Sequence, residues 1–294
     1  MVALVRDAAG VAVIRELHSV FFAAADGRGD RWRRMARVLD HSARAAMPDW
    51  SVSVRMHTPP ALSGQSASFV SNTHKLDEWE RVIAEAPDGA EIVLIDTDTM
   101  ILGSLDAAFD GDDDVRFTRK YNTARFVLNG GVVVVRVNER SRAFMRAWRE
   151  RNAEFFGDEL ARAKWLATYG GLNQSALGSL LEEKHDAKVG FLDCAEWNAC
   201  YEPLWIRAAS IGAKVVHFKS HLRQALFSGQ NARYFGLISR WKRFERDALR
   251  NAPEMVYVDA PDEVSEAKRA LARLSPEARE AVLAASVFAE DVTQ

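Results

Sequence analysis

Runs of consecutive apolar residues alternate along this chain with stretches whose apolar positions return every three or four residues. These are the signatures of covered strands and amphipathic helices. The first run spans Val11 to Ala25, apolar from Val20 onward, and ends in the glycine-bearing segment Asp26–Asp30. Trp32, Met35, Ala36, Leu39, Ala43 and Met47 then keep a helical period that Pro48 stops. Trp50–Met56 reads as the next strand, and Pro59-Pro60 opens a polar loop to Asn72. Leu76, Trp79, Val82, Ile83 and Ala86 predict a second helix, closed by Pro87, Asp88 and Gly89. Glu91–Ile95 has the composition of a central strand covered on both faces. Val115–Arg119 and Gly131–Val137 predict further strands, and helices follow at Glu139–Arg151, Glu159–Thr168 and Asn173–Glu183. Lys214–Phe218 is the last strand. Repeated β–α alternation without a flexible linker predicts one α/β domain of about 250 residues. A helical appendage occupies the rest, with Ser275 and Pro276 offering an N-cap and a proline start.

Composition narrows the class. Among 294 residues, 39 Lys and Arg stand against 41 Asp and Glu, a net charge of −2. That balance excludes a surface built throughout for phosphate backbones and leaves room for a local basic face. The two cysteines, Cys194 and Cys200, are too few for a disulfide framework and fit the reduced thiols of a cytosolic protein. Met1–Arg15, cut by Arg6, Asp7 and Arg15, lacks a secretory apolar stretch. No window approaches the ~18 apolar residues of a membrane span. The expected location is the cytoplasm.

The sharpest chemical signal is Asp96-Thr97-Asp98, directly after the apolar run Ile92–Ile95. Alternation along an extended segment would aim both carboxylates one way, where a buried strand ends and open α/β sheets bind ligands. Two carboxylates held together repel unless a cation or proton lies between them. Mg²⁺ or Mn²⁺ bridging them to a diphosphate answers that need with oxygen ligands on both sides. A loop-initiating Asp-x-Asp that caps backbone amides is the plainer alternative. The acidic run Asp110–Asp114 reads as a solvated loop.

The Asp96–Leu105 stretch resembles the Asp-x-Asp region of GT-A fold nucleotide-sugar glycosyltransferases, most closely the glycogenin and bacterial galactosyltransferase-like branch. Other segments fall in that branch's order over residues 17 to 223. They are Ala24-Ala25-Asp26, the Asn-x-Gly turn in Leu128–Val132, Asn173-Gln174, Glu196-Trp197-Asn198, and Val215–Phe218 with His217 at the strand's end. The resemblance implies a single GT-A domain over residues 1–258, with a mixed, mostly parallel sheet flanked by helices, and an appendage over 259–294. It implies a metal-dependent transferase for a UDP-sugar, with Mn²⁺ or Mg²⁺ held by Asp96, Asp98 and His217, and with retention at the anomeric carbon. Asp96, Asp98, Asn173 and Gln174 take the catalytic positions. Ala24, Asp26, Asp96, Asn129, Gly130 and Gly131 line the donor, Asp26 near the base or ribose.

The chain also departs from that pattern. Lys219 and Leu222 stand where the branch often has Gly and Lys, leaving Lys219, Arg223 or Lys120 to meet the diphosphate. Asn173 replaces an acidic residue. Two rival functions use the same fold: a nucleotidyltransferase that makes the sugar nucleotide, for which Gly27-Arg28-Gly29 is a thin loop, and a non-catalytic nucleotide- or carbohydrate-binding protein. Residues 231–250 interleave Tyr234, Phe235, Leu237, Ile238, Trp241 and Phe244 with Arg240, Lys242, Arg243 and Arg246. Such a helix can rest on a membrane surface, meet an anionic acceptor, or pack on the domain with a solvated basic edge. The acceptor's class, whether glycan, lipid, protein or nucleic acid, is not written in the sequence.

Overall fold

In the computed structural model, which describes residues 4–6, 12–22, 29–57, 67–121, 123, 126–208, 211–229 and 234–251, the apolar runs are strands and the periodic stretches helices. The chain order is β1 (Leu4–Arg6), β2 (Ala12–Phe22), α1 (Gly29–Ala46), β3 (Ser51–His57), α2 (Ala67–Glu85), β4 (Glu91–Ile95) and β5 (Thr99–Ile101). After a 3-10 turn at Asp106–Phe109 come β6 (Val115–Arg119), β7 (Leu128–Arg136), α3 (Glu139–Gly157), α4 (Glu159–Tyr169), α5 (Leu172–Leu181) and β8 (Val189–Asp193). The short helices α6 (Cys194–Trp197) and α7 (Glu202–Arg207) lead to β9 (Val215–His217), α8 (Ser220–Ser228) and α9 (Phe235–Asn251). Ala24, Ala25, Asp26, the Gly27-Arg28 pair, residues 231–233 and the appendage expected over 259–294 lie outside the described residues.

The main sheet runs β1-β2-β4-β7-β6-β8, with β3 also paired to β2. Strands β2, β3, β4, β6 and β8 run one way, and β1 and β7 run against them. The sheet is therefore mixed and mostly parallel. β2 leads through α1 to β3 and then through α2 to β4, and both strands pair with β2. The carboxyl ends of β2 and β4 thus flank a point where the chain reverses its direction of travel, the place where open α/β sheets accept ligands. A separate ribbon pairs β5 with β9 antiparallel.

Burial explains the apolar runs. Ile92 and Leu94 of β4 face one core cluster with Val133, Val135, Phe117, Trp79 and Trp148. Val93 and Ile95 face another with Val132, Val134, Leu17, Leu39 and Trp50. Both faces of β4 and β7 are covered, so nearly every position is apolar rather than every second one. α3 begins with a capping box: the Asn138 side chain accepts from Ser141 N while the Ser141 hydroxyl accepts from Asn138 N.

Four expectations need correction. The loop to Asn72 is helix from Ala67, because buried Val70 and the bond from Asn152 Nδ2 to Thr73 Oγ1 (3.0 Å) override weak helix formers there. The Asn-Gly-Gly segment is not a turn before a strand but lies inside β7, at a bulge where Thr118 pairs with Asn129 and Phe117 with Val133. Asp114 is not solvated; it is 1% exposed. The apolar stripe of α9 (Leu237, Ile238, Trp241 and Ala248) is buried, packed with Met35 and Val38 of α1, so a membrane surface cannot reach it. Among the described residues no helix is long and apolar enough to cross a membrane.

Candidate active site at the end of strand β4

Asp96 and Asp98 flank a tight turn between β4 and β5, rather than an extended segment. Thr97 pins that turn from below: its hydroxyl contacts Ser19 Oγ (2.8 Å) and donates to Val20 O (3.1 Å) on β2. Thr99 Oγ1 closes it by donating to Asp96 O (2.7 Å). With Thr97 turned into the sheet, the two carboxylates project together on the other side. β9 is brought up by its ladder with β5, where Thr99 faces His217, and by Phe218 N donating to Asp98 O (2.7 Å). The distant histidine therefore arrives through the small antiparallel ribbon, not through neighbouring parallel strand ends. Its Nε2 lies 3.0 Å from Asp98 Oδ1 and 3.6 Å from Asp96 Oδ2.

A buried network fixes which nitrogen of His217 carries hydrogen. Thr118 Oγ1 donates its hydrogen to Asn129 O (2.7 Å), so Thr118 Oγ1 itself accepts from Asn198 Nδ2 (2.8 Å). Asn129 Oδ1 accepts from Gly131 N (2.8 Å) and from Asn198 Nδ2 (3.0 Å). The Asn198 oxygen must then be the atom facing His217 Nδ1 at 3.1 Å, which makes Nδ1 the donor. With Nε2 protonated as well, the cationic ring donates to Asp98; with that proton gone, Nε2 points a lone pair at two carboxylates, the form in which it can hold a cation. Gly131 is required by this packing, since a Cβ there would lie 2.5 Å from His217 Cε1; one on Gly130 would meet nothing nearer than Trp148 at 3.8 Å.

Each carboxylate spends its other oxygen on a cation. Lys75 Nζ lies 2.6 Å from Asp96 Oδ1 and sits over the Trp79 ring. Arg223 reaches Asp98 Oδ2 at 2.8 Å and lies over Trp32. Burial pushes the Asp98 carboxyl up, but the charge and hydrogen bond of His217, then the charges of Arg223 and Lys219, outweigh it and hold it at about 2. Asp96 Oδ2, Asp98 Oδ1 and His217 Nε2 are left converging, all within 4.8 Å of one another. Two carboxylate oxygens and an imidazole with its far nitrogen anchored suit Mn²⁺ or Mg²⁺. The donor set fits such an ion.

The other sequence-selected residues divide. Asn129, Gly130 and Gly131 stand beside the cluster. Asn173 and Gln174 begin α5 against Gly130, but the Gln174 amide donates to Leu128 O (3.0 Å) and Tyr169 O (3.1 Å), holding the start of β7. The Asn173 carbonyl accepts from Trp148 Nε1 (2.8 Å). Lys120 lies over the Tyr201 ring. Cys194 and Cys200 are free, buried and hydrogen-bonded to each other, which draws the Cys200 thiol below its usual range against the effect of burial. Sequence reasoning passed over Lys75. Its signal was available, because Lys75 shares the buried stripe of α2 with Trp79 and Val82, and a charge there needs a partner.

The fold is that of the GT-A glycosyltransferases, and the Asp96–Asp98–His217 cluster sits at the end of its central strand. Residues 85–222 match the family model of nucleotide-diphospho-sugar transferases. Two solved structures share the fold at a TM-score of 0.51 and 10% identity, each over 79% of this chain. One is a glycosyltransferase involved in glycosylation of the major capsid of the virus PBCV-1, covered over 98% of its length. The other is the galactosyltransferase LgtC, solved with donor and acceptor sugar analogues and covered over 95%. No curated protein sequence matches the chain.

Proposed function

We propose that this protein transfers a sugar from a UDP-sugar to an acceptor hydroxyl, with retention at the anomeric carbon and with Mn²⁺ or Mg²⁺ held by Asp96 Oδ2, Asp98 Oδ1 and His217 Nε2. The convergence of those three atoms, each with its partner atom already engaged, carries the reading. When bound, such a cation supplies Lewis-acid stabilisation of the departing diphosphate. The chain's own residues prepare the rest. Lys75 and Arg223 fix the carboxylates so that one oxygen of each faces the centre, and Asn198 fixes the imidazole. Lys219 and Lys120 add positive charge where the nucleoside diphosphate leaves. Asn129 Nδ2 is buried with no hydrogen-bond partner among the described residues, an arrangement that costs about 1–3 kcal/mol unless a bound hydroxyl accepts from it. We assign that donor to the sugar, Asn173 to the same pocket, and Gln174 a positioning role. Ala24 and Asp26 take the uridine side, and Asp96 is shared between cation and ribose. The two free thiols support a cytoplasmic setting.

A thermal-shift titration of UDP, GDP and ADP with and without Mn²⁺ tests the reading. UDP with Mn²⁺ should raise the melting temperature, and UDP in EDTA should not. Equal shifts in EDTA would remove the metal from the proposal. A response to nucleoside triphosphate with sugar phosphate, and none to UDP, would transfer the site to nucleotidyl transfer. UDP-sugars bound with Mn²⁺ but never hydrolysed, even slowly and with acceptor pools present, would indicate a binding protein.

A further inference from the structure

α9 has two used faces. One is the buried stripe described above. The other carries Arg240, Arg243 and Arg246 at i, i+3 and i+6, and lines a cavity of about 580 Å³. That size falls within the roughly 300–1,000 Å³ of small-molecule sites. Leu102, Trp205 and Ile206 form an apolar wall of the same cavity, and Ile206 is left 55% exposed. None of Asp96, Asp98 and His217 lines it.

Arg15, Arg34, Arg44, Arg116, Arg140 and Arg223 are all paired with carboxylates. Among the described residues, Arg240, Arg243 and Arg246 have no such pair, and Arg240 Nε is buried without a hydrogen-bond partner. Two carboxylates nearby are engaged elsewhere: Glu202 accepts from Tyr234 OH (2.6 Å) and Glu245 holds Arg34 (2.6 Å). Like charges spaced this way along a helix repel. Planar guanidiniums around a cavity match the oxygens of a phosphate, and the facing wall asks for something apolar.

We propose that this cavity is a second ligand site, for a phosphate ester whose organic part is apolar. The site lies beyond the transfer reaction and does not depend on its reading. Trp205 joins the two regions: its ring lines the cavity while its Nε1 donates to Ala199 O (2.8 Å) and His217 O (3.1 Å).

Calorimetry with dihexanoylphosphatidic acid below its micellar concentration, in EDTA and phosphate-free buffer, tests the site. The wild type should bind saturably, and added NaCl should weaken binding. An Arg240→Gln, Arg243→Gln, Arg246→Gln triple variant should lose at least about tenfold. Should that variant fold poorly, Gly236→Trp tests the cavity with every charge retained. A Cβ on Gly236 meets nothing within 4 Å, so the ring grows into open space at the cavity wall. It should also lose at least about tenfold. No saturable binding, equal affinity in a folded variant, or binding only to phosphatidic acid vesicles would overturn the proposal, the last by moving recognition to a membrane surface. Mn²⁺-dependent UDP binding on the same samples reports the Asp96–Asp98 site separately, so either reading can fail alone.

Discussion

Asp98 and Asp114 are both buried aspartates held at about 2, yet their surroundings differ in kind. Asp114 is saturated. Its Oδ1 accepts from Asn138 Nδ2 (2.7 Å) and an Arg140 guanidinium nitrogen (2.8 Å), and its Oδ2 from Arg140 Nε and Lys188 N (both 2.8 Å). Those bonds tie the start of β6 to the cap of α3 and the approach to β8, so the carboxylate holds structure together. Asp98 instead shares one imidazole with a second carboxylate, and three acceptor atoms converge without enough donors to serve them. A satisfied buried charge belongs to the fold, whereas two carboxylates and an imidazole gathered on one point form the cluster that the proposed reading assigns to a cation.

Exchanging each residue for asparagine should separate the two roles. Asp98→Asn is expected to lower transfer by on the order of 10³-fold, about 4 kcal/mol, while the melting temperature of the metal-free protein stays near wild type. Asp114→Asn should do the reverse: turnover per folded molecule is kept, and stability falls by about 2–3 kcal/mol because the charge is lost and one of the two acceptor oxygens becomes a donor amid Asn138, Arg140 and Lys188 N. Donor-hydrolysis assays beside urea melts check the crossing. Two stability losses of equal size would erase the distinction.

Lys75 probes the same comparison one layer out. Lys75→Met keeps the stem over Trp79 but frees Asp96, and should raise the Mn²⁺ concentration for half-maximal UDP binding by about 10–100-fold. His217→Ala should weaken the metal response and leave some turnover, since imidazole is the lesser ligand for Mn²⁺. If His217→Ala titrates Mn²⁺ normally but melts early, the ring is structural. Gly131→Ala should mimic that loss by pushing the ring away, whereas Gly130→Ala, with ordinary contacts, should change activity less than about threefold.

What the chain discloses in advance follows from how each segment is covered. β4 and β7 announce themselves because both faces are buried, and the Asp pair is conspicuous against that apolar background. β8 is partly exposed, with Gly190 inside and Phe191 37% open, and β5 has three residues; neither has a period to read. Asn129-Gly130-Gly131 reads as a turn because glycine pairs usually make one. Here the pair serves a bulge and the approach of a ring from a strand about ninety residues away. Asp114 hides in an acidic run whose other members are exposed or half-buried. Its partners Asn138, Arg140 and Lys188 are remote in sequence, and pairing at that distance leaves no local trace.

The smallest effect concerns pH, and its sign follows from Asp114 alone. Burial raises this carboxyl, but the hydrogen bond of Arg140, then those of Lys188 N and Asn138, bring it down to about 2, below its ordinary 3.8. A carboxyl depressed in the folded state binds protons more readily when unfolded, so its stabilisation is complete above the unfolded value and drains away as pH falls. The window runs from about pH 5 down to about pH 2. Wild type and Asp114→Asn should therefore differ most in urea midpoint near neutral pH and converge as acid is added. Exposed Arg140, 50% accessible, screens part of the interaction, which keeps the effect modest. A gap between the two proteins that stays constant down to pH 3 would mean that the variant lost packing rather than charge, and Asp114 would then hold its three neighbours by shape more than by ionisation.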